Sequence, residues 1–173
     1  MALGANLGDP AEQLRAAAAY LESLGAVINR SALYRTRPVG GPPGQPDYLN
    51  AVVLLRTAAV VDDPRRLLAE LLTIERGLGR ERRERWGPRT IDIDLLDLGG
   101  RIFVGPAKPE AGGALLPALR LPHPRMAQRE FVLRPLLDVD PDWRHPTLRA
   151  SAAELLERLK LGGVERAAQQ WSG

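Results

Sequence analysis

Behind Asp9, Pro10 and Glu12, the apolar residues Leu14, Ala17, Ala18, Leu21 and Leu24 recur three and four positions apart. A capping residue, a proline at the first helical position and an early acid predict a helix that stops at Gly25. Ala26 to Thr36 predicts a strand. Seven of the nine residues from Pro38 to Pro46 are Pro or Gly, which predicts a loop within the fold, not a linker. Tyr48 to Thr57 (YLNAVVLLRT) is rich in β-formers and predicts a buried strand. Asp63 and Pro64 repeat the capping signal ahead of Leu67, Leu68, Leu71, Leu72, Ile74 and Leu78, a second amphipathic helix closing near Gly77 to Gly79. Thr90 to Leu98 alternates, and Gly99-Gly100 before the apolar run Arg101 to Val104 predicts a hairpin. Residues 105 to 118 are loose in composition and predict a surface excursion. Arg129 to Leu137 has helical spacing limited by Pro135, and Ser151 with Glu154 opens a last helix through Leu161. No repeat or boundary interrupts the chain. The order β, helix, β, β, helix, β predicts one domain over residues 1–173, an α+β fold of the ferredoxin-like kind, mostly antiparallel sheet with flanking helices.

Composition narrows the class. At 173 residues and 18.9 kDa the chain suits one core. No apolar run reaches the ~18 residues of a membrane span. The first residues carry no basic stretch and no apolar leader, and there are no cysteines, so a cytoplasmic enzyme without disulfides or thiolate metal sites is expected. All but two of the 24 basic residues are arginine, the exceptions being Lys108 and Lys160. Six arginines and three glutamates fall between Glu75 and Arg89, while the remaining residues balance. The whole excess of +3 therefore sits in one window, which points to a local anion site more than to a broad basic face.

Asp92 and Asp94 alternate with Ile91, Ile93 and Leu95. On a strand both carboxylates leave one face, with Cα atoms roughly 6.5 to 7 Å apart. Such a pair can flank hard cations such as Mg²⁺, and the arginines nearby add the complement of a polyphosphate. A half-solvated strand face and a solvated charge run are the plain alternatives. Trp86-Gly87-Pro88 inside the arginine window favours a defined conformation when something binds. No GxxxxGK[ST] string occurs, so no P-loop is present. Asn6, in the stretch from Gly4 to Gly8, reads as part of a turn before the first helix.

The segment RWGPRTIDIDLL (Arg85 to Leu96) resembles the signature of the 6-hydroxymethyl-7,8-dihydropterin pyrophosphokinase family. LGANLGD (Leu3 to Asp9), YRT and its Pro/Gly loop, PDYLNAV, IERGLGR and LPHPRMAQREFVLRPL (Leu121 to Leu136) resemble further blocks of that family, in its order, over about residues 2 to 145. The resemblance implies transfer of diphosphate from ATP to 6-hydroxymethyl-7,8-dihydropterin in folate biosynthesis, with release of AMP. It places Mg²⁺, as a pair of ions, on Asp92 and Asp94. It places ATP on Arg80, Arg82, Arg85, Arg89, His123 and Arg129, with Arg82 and Arg89 also catalytic alongside the two aspartates. It places the pterin on Tyr48 and Phe131 as ring faces and on Asn50, Thr36, Val39 and Trp86, and it marks Glu75 as a further site position. The expected partners are these small molecules alone, with no nucleic acid, no membrane and a monomeric chain.

The chain also departs from the family pattern. It begins almost inside the usual first strand, so either the start lies upstream or the sheet edge is frayed there. The arginine loop is about one residue shorter than usual, and the segment from Ala107 to Arg120 is longer. His145, outside the matched blocks, is expected at the surface. With no apolar residue from Glu81 to Arg85, the loop is expected to be mobile until ligand closes it. No strong general base is visible. Two other functions stay open on the residues alone: a nucleotide kinase releasing ADP, and an arginine-loop module that grips nucleic-acid phosphate.

Overall fold

The computed structural model describes residues 1–57, 63–80, 87–109, 115–159 and 162–171. Its strands are β1 (Ala2–Ala5), β2 (Gly25–Arg30), β3 (Tyr34–Thr36), β4 (Tyr48–Thr57), β5 (Asp92–Asp94), β6 (Phe103–Gly105), β7 (Lys108–Pro109), β8 (Leu115–Leu116), β9 (Leu119–Leu121) and β10 (Val164–Arg166). Its helices are α1 (Pro10–Leu21), α2 (Pro64–Gly77), α3 (Glu130–Val139) and α4 (Ala152–Glu157). The main sheet runs β10-β3-β4-β1-β5, and β2 pairs with the far half of β4. All its pairings are antiparallel. The fold is therefore α+β with helices flanking antiparallel sheet.

The helix starts follow from local chemistry. Asp9 accepts the Glu12 N–H at 3.1 Å and Asp63 accepts the Arg65 N–H at 3.0 Å, each just ahead of a proline that has no N–H to lose. Ser151 and Glu154 complete a reciprocal capping box. α1 and α2 bury Leu14, Leu21, Leu67 and Leu71 against Leu3, Leu49, Ala51, Val53 and Ile93 on one face of the sheet. α3 and α4 bury Val132, Leu133, Leu136 and Leu155 over Val52 and Leu96 on the other face. Period-two alternation thus sends successive residues of β4 into two different cores.

Several sequence expectations are corrected. Ala26 to Thr36 is two strands, because the Ser31 hydroxyl takes the Val52 N–H at 2.9 Å and Asp138 takes the Ala32 N–H at 3.0 Å. The Ser31 N–H still donates to Val52 O at 2.9 Å, but the Val52 N–H goes to the Ser31 side chain and the Ala32 N–H to Asp138, so the regular ladder stops here. Gly99 and Gly100 do form a turn with positive φ, capped by Asp97 accepting the Gly100 N–H. The flanking strands do not pair as a hairpin, however: β5 pairs with β1, and β6 pairs with β9. The excursion after residue 105 contains the short β7–β8 pair. Pro135 does not shorten α3, which runs on to Val139, since a proline six residues into a ten-residue helix removes one ladder bond only. α4 ends at Glu157, before the expected Leu161. β1 is not a frayed edge, because β4 and β5 flank it on both sides. His145 is buried, with Nδ1 accepting from Thr147 N–H and Leu148 N–H, so it organises a turn.

Candidate active site

Register decides which side chains meet. Asn50 stands opposite Gly4, which stands opposite Asp92, and Tyr48 pairs with Thr36. Residues directly opposite share a face, and Asp94, two positions from Asp92, shares it too. α3 and α4 cover only part of this face, so Tyr48, Asn50, Gly4 and the two aspartates floor an open cleft. Gly4 keeps that floor low, since a Cβ there would lie 3.3 Å from Asn50 Oδ1.

Two cavities meet at this floor. The first, about 1230 Å³, is walled by Thr36, Val39, Tyr48, Asn50 and Phe131. The second, about 1170 Å³, is walled by Glu75, Arg80, Thr90 and His123. Arg89, Asp92 and Asp94 line both. The sequence-predicted positions that lie among the described residues thus converge on one region. Arg82, Arg85 and Trp86, and with them the expectation of a mobile loop, lie outside the described residues.

On the second side a chain of charges runs from the core outward. Glu75, 3% exposed on α2, accepts the Ile93 N–H at 2.7 Å and pairs with Arg80. Arg80 continues to Asp92 at 2.7 Å, and Asp92 also takes Arg89 at 2.5 Å. Burial pushes the Glu75 carboxyl up to about 7, the favourable field of Arg80 offsetting only part of that effect. Asp94 pairs with Arg129 at 3.1 Å and faces His123 Nε2 at 3.9 Å. Burial lowers the His123 pKa, which favours the neutral ring. Its Nδ1 accepts the Arg125 N–H at 3.2 Å, which leaves the ring proton on Nε2, facing Asp94.

The first side carries the aromatic residues Tyr48 and Phe131 beside Arg35, Arg37, Arg125 and Arg129. The Arg129 guanidinium lies 5.4 Å from the Phe131 ring centroid, so one residue joins Asp94 to the aromatic wall. Tyr48 donates its hydroxyl proton to Gly87 O at 3.1 Å. Asn50 is buried, and its NH₂ donates to Thr36 Oγ1 at 2.9 Å and Tyr34 O at 3.3 Å. That contact orients the amide and ties the Thr36 wall to the floor.

Asp92 and Asp94 offer two carboxylates on one face, a quarter to a third exposed. No cluster of three or more His, Asp or Glu suited to a metal occurs among the described residues. Two oxygen donors open to both cavities fit a cation that fills its remaining positions with water and phosphate oxygens, as Mg²⁺ does.

Asn6 is the position that sequence reading missed. It is 2% exposed, its Oδ1 accepts the Arg89 N–H at 2.7 Å, and its NH₂ donates to Pro46 O at 3.1 Å. Its own N–H donates to Arg89 O at 3.0 Å. One amide therefore clamps the end of the Pro/Gly loop, just before Tyr48, to the backbone of Arg89. The only local signal was a donor-and-acceptor side chain between a strand and a capped helix, which reads equally as a turn.

Comparison with known proteins bears on the family of the chain. The family model for 7,8-dihydro-6-hydroxymethylpterin-pyrophosphokinase matches residues 1–141. Two relatives are named 2-amino-4-hydroxy-6-hydroxymethyldihydropteridine pyrophosphokinase. One, from Pseudomonas aeruginosa, is 40% identical over 168 residues, covering 96% of this chain and 94% of that protein. The other, from Synechocystis, is 39% identical over 164 residues, covering 94% of this chain and 76% of that protein. The solved Plasmodium falciparum HPPK-DHPS structure superimposes with a TM-score of 0.73 at 17% identity, over 91% of this chain and 42% of that one. At that identity it speaks for the fold alone. With most of its length matched by the family model and by relatives near 40% identity, this chain belongs to the 7,8-dihydro-6-hydroxymethylpterin-pyrophosphokinase family.

Proposed function

We propose that the chain transfers the diphosphate of ATP to 6-hydroxymethyl-7,8-dihydropterin, giving AMP and the pterin diphosphate of folate biosynthesis. The observation that carries this reading is the meeting of two cavities at Asp92 and Asp94, one holding the ring and amide groups of Tyr48, Phe131 and Asn50 and the other holding Arg80 and His123. The dihydropterin ring belongs in the first, between Tyr48 and Phe131, with Asn50, Thr36 and Val39 along its edge. ATP belongs in the second, against Arg80, Arg89 and His123, with Arg82 and Arg85 added by resemblance; Arg129, on the first cavity's side, reaches the same phosphates from beside Asp94. Trp86 belongs to the pterin side on the same ground.

In the transfer, the hydroxymethyl oxygen forms a bond to the β-phosphorus while the bond from that phosphorus to the α–β bridging oxygen breaks. AMP departs with the bridging oxygen, and the alcohol proton passes to solvent water. The protein's part is positioning and neutralisation. Asp92 and Asp94 would hold Mg²⁺, which when bound neutralises phosphate charge. Arg89 stands at the junction, where it can stay close to the transferred group, and neutral His123 presents Nε2–H as a donor to phosphate. Arg82 is the second arginine assigned to the transferring charge.

Incubation of the purified chain with ATP, Mg²⁺ and 6-hydroxymethyl-7,8-dihydropterin, followed by separation of nucleotides, tests the reading. AMP should form in equal amount to pterin consumed, and its formation should stop without Mg²⁺ or pterin. ADP in place of AMP would indicate an ordinary kinase, and absence of any nucleotide product would indicate a binding module.

A further inference from the structure

The family match ends at residue 141, and the reading above assigns nothing beyond it. Yet Leu159, Gly162, Gly163, Val164 and Glu165 line the first cavity. Two separate attachments hold this segment there. On one side β10 pairs with β3, with Val164 opposite Thr36 and Glu165 opposite Arg35. On the other, the Gly162 N–H donates to Glu130 Oε2 at 2.9 Å. The second oxygen of Glu130 takes Arg134 Nε at 2.6 Å, one turn along α3, and the side chain is only 9% exposed. That carboxylate is therefore held in place by a charge-assisted contact inside its own helix.

Glu130 is the first residue of α3 and directly precedes Phe131, and α3 has no side-chain cap to fix its start. Thr36 lies at the end of a strand of three residues. The two walls of the cavity thus belong to the end of β3 and the start of α3, and residues 162–166 bridge them. A flat ring held between faces needs its walls at a set spacing before it arrives, because any ordering left to the bound state is subtracted from affinity.

We propose that residues 162–166, tied to Glu130, are a specificity-determining wall of this cavity: they set the spacing between β3 and the start of α3, and so how tightly the dihydropterin is held. The inference rests on the placement of the pterin proposed above. Glu130 acts as a positioning residue, touching no reacting atom.

Steady-state kinetics of Glu130→Ala, Glu130→Gln and Phe131→Ala, with hydrogen exchange on the unaltered protein, test it. Glu130→Ala should raise KM for 6-hydroxymethyl-7,8-dihydropterin about tenfold, as expected for loss of one hydrogen bond to a charged group. KM for ATP should stay within about twofold on the same scale. Glu130→Gln, whose amide oxygen can still accept the Gly162 N–H, should recover most of the loss. In the unaltered protein, the amides of residues 162–166 should exchange more slowly once pterin alone is added, and should not respond to ATP alone. Equal rises in both KM values, or an unchanged pterin KM, overturn the proposal. So does exchange at 162–166 that ignores pterin, a readout that holds even if Glu130→Ala does not fold. If Phe131→Ala also leaves pterin binding untouched, the placement of the pterin itself is at fault.

Discussion

Asp92 and Asp94 leave β5 on the same face but keep different company. Asp92 is held by Arg80 and Arg89, and Asp94 by Arg129 with His123 farther off. Asp94 is a third exposed and outside the apolar core, so Asp94→Ala should leave circular dichroism unchanged while turnover, measured as AMP released, falls by about 10²- to 10³-fold or more. Near-normal turnover would remove Asp94 from the metal site. Glu75 predicts a pH dependence of stability. Its folded value of about 7 lies above the ordinary 4.5, so the folded state favours the protonated acid. The stability tied to it is full below about 4.5 and is lost as pH rises through about 7. Glu75→Gln should flatten that loss, so that Tm of the unaltered protein drops relative to the variant between about pH 5 and pH 8. Parallel Tm curves would show a carboxylate that stays ionised throughout.

At the scale of elements, the helix starts were legible because they are written in neighbouring residues. Asp9-Pro10, Asp63-Pro64 and Ser151 with Glu154 each act within one turn of themselves. Ser151→Ala removes the hydroxyl that accepts the Glu154 N–H, leaving the backbone half of the box, and should cost about 0.5 to 2 kcal/mol in denaturant unfolding. AMP formation should be unaffected, because α4 packs on α3 away from the aspartates. A matching loss of activity would tie α4 to the site. The strand from Ala26 to Thr36 and the glycine hairpin were misread for the opposite reason. What interrupts the first is an acceptor on Asp138, over a hundred positions away. What undoes the second is competition for partners, since β1 pairs with β5, and β6 has β9 to pair with.

At the scale of the whole molecule, among the described residues the two carboxylates of the site face the guanidiniums of Arg80, Arg89 and Arg129. A bare divalent cation must enter against those positive charges, whereas a nucleotide brings phosphates that give each arginine a new partner. Mg²⁺ alone should therefore shift Tm little. Mg²⁺ with ATP should stabilise strongly, by about 2.7 kcal/mol when nucleotide stands at a hundred times its Kd. An equal shift from Mg²⁺ alone, read by thermal unfolding, would mean that the carboxylates are free to take metal before nucleotide arrives.

What the sequence determined by itself is local or periodic. Alternation put Asp92 and Asp94 on one face, spacing shaped α1 and α2, and the density of arginine between Glu75 and Arg89 set the local excess of positive charge. Those features follow from backbone periods of 2 and 3.6 and from capping within a turn. Tertiary structure alone decided that Gly4 stands between Asn50 and Asp92, that Asn6 joins Pro46 to Arg89, that His145 is buried, and that β10 closes the sheet beside β3. Each depends on strand register or on a hydrogen bond between residues distant in the chain, and such partners are selected by competition among all available donors and acceptors. No pattern within a short window of residues carries that information.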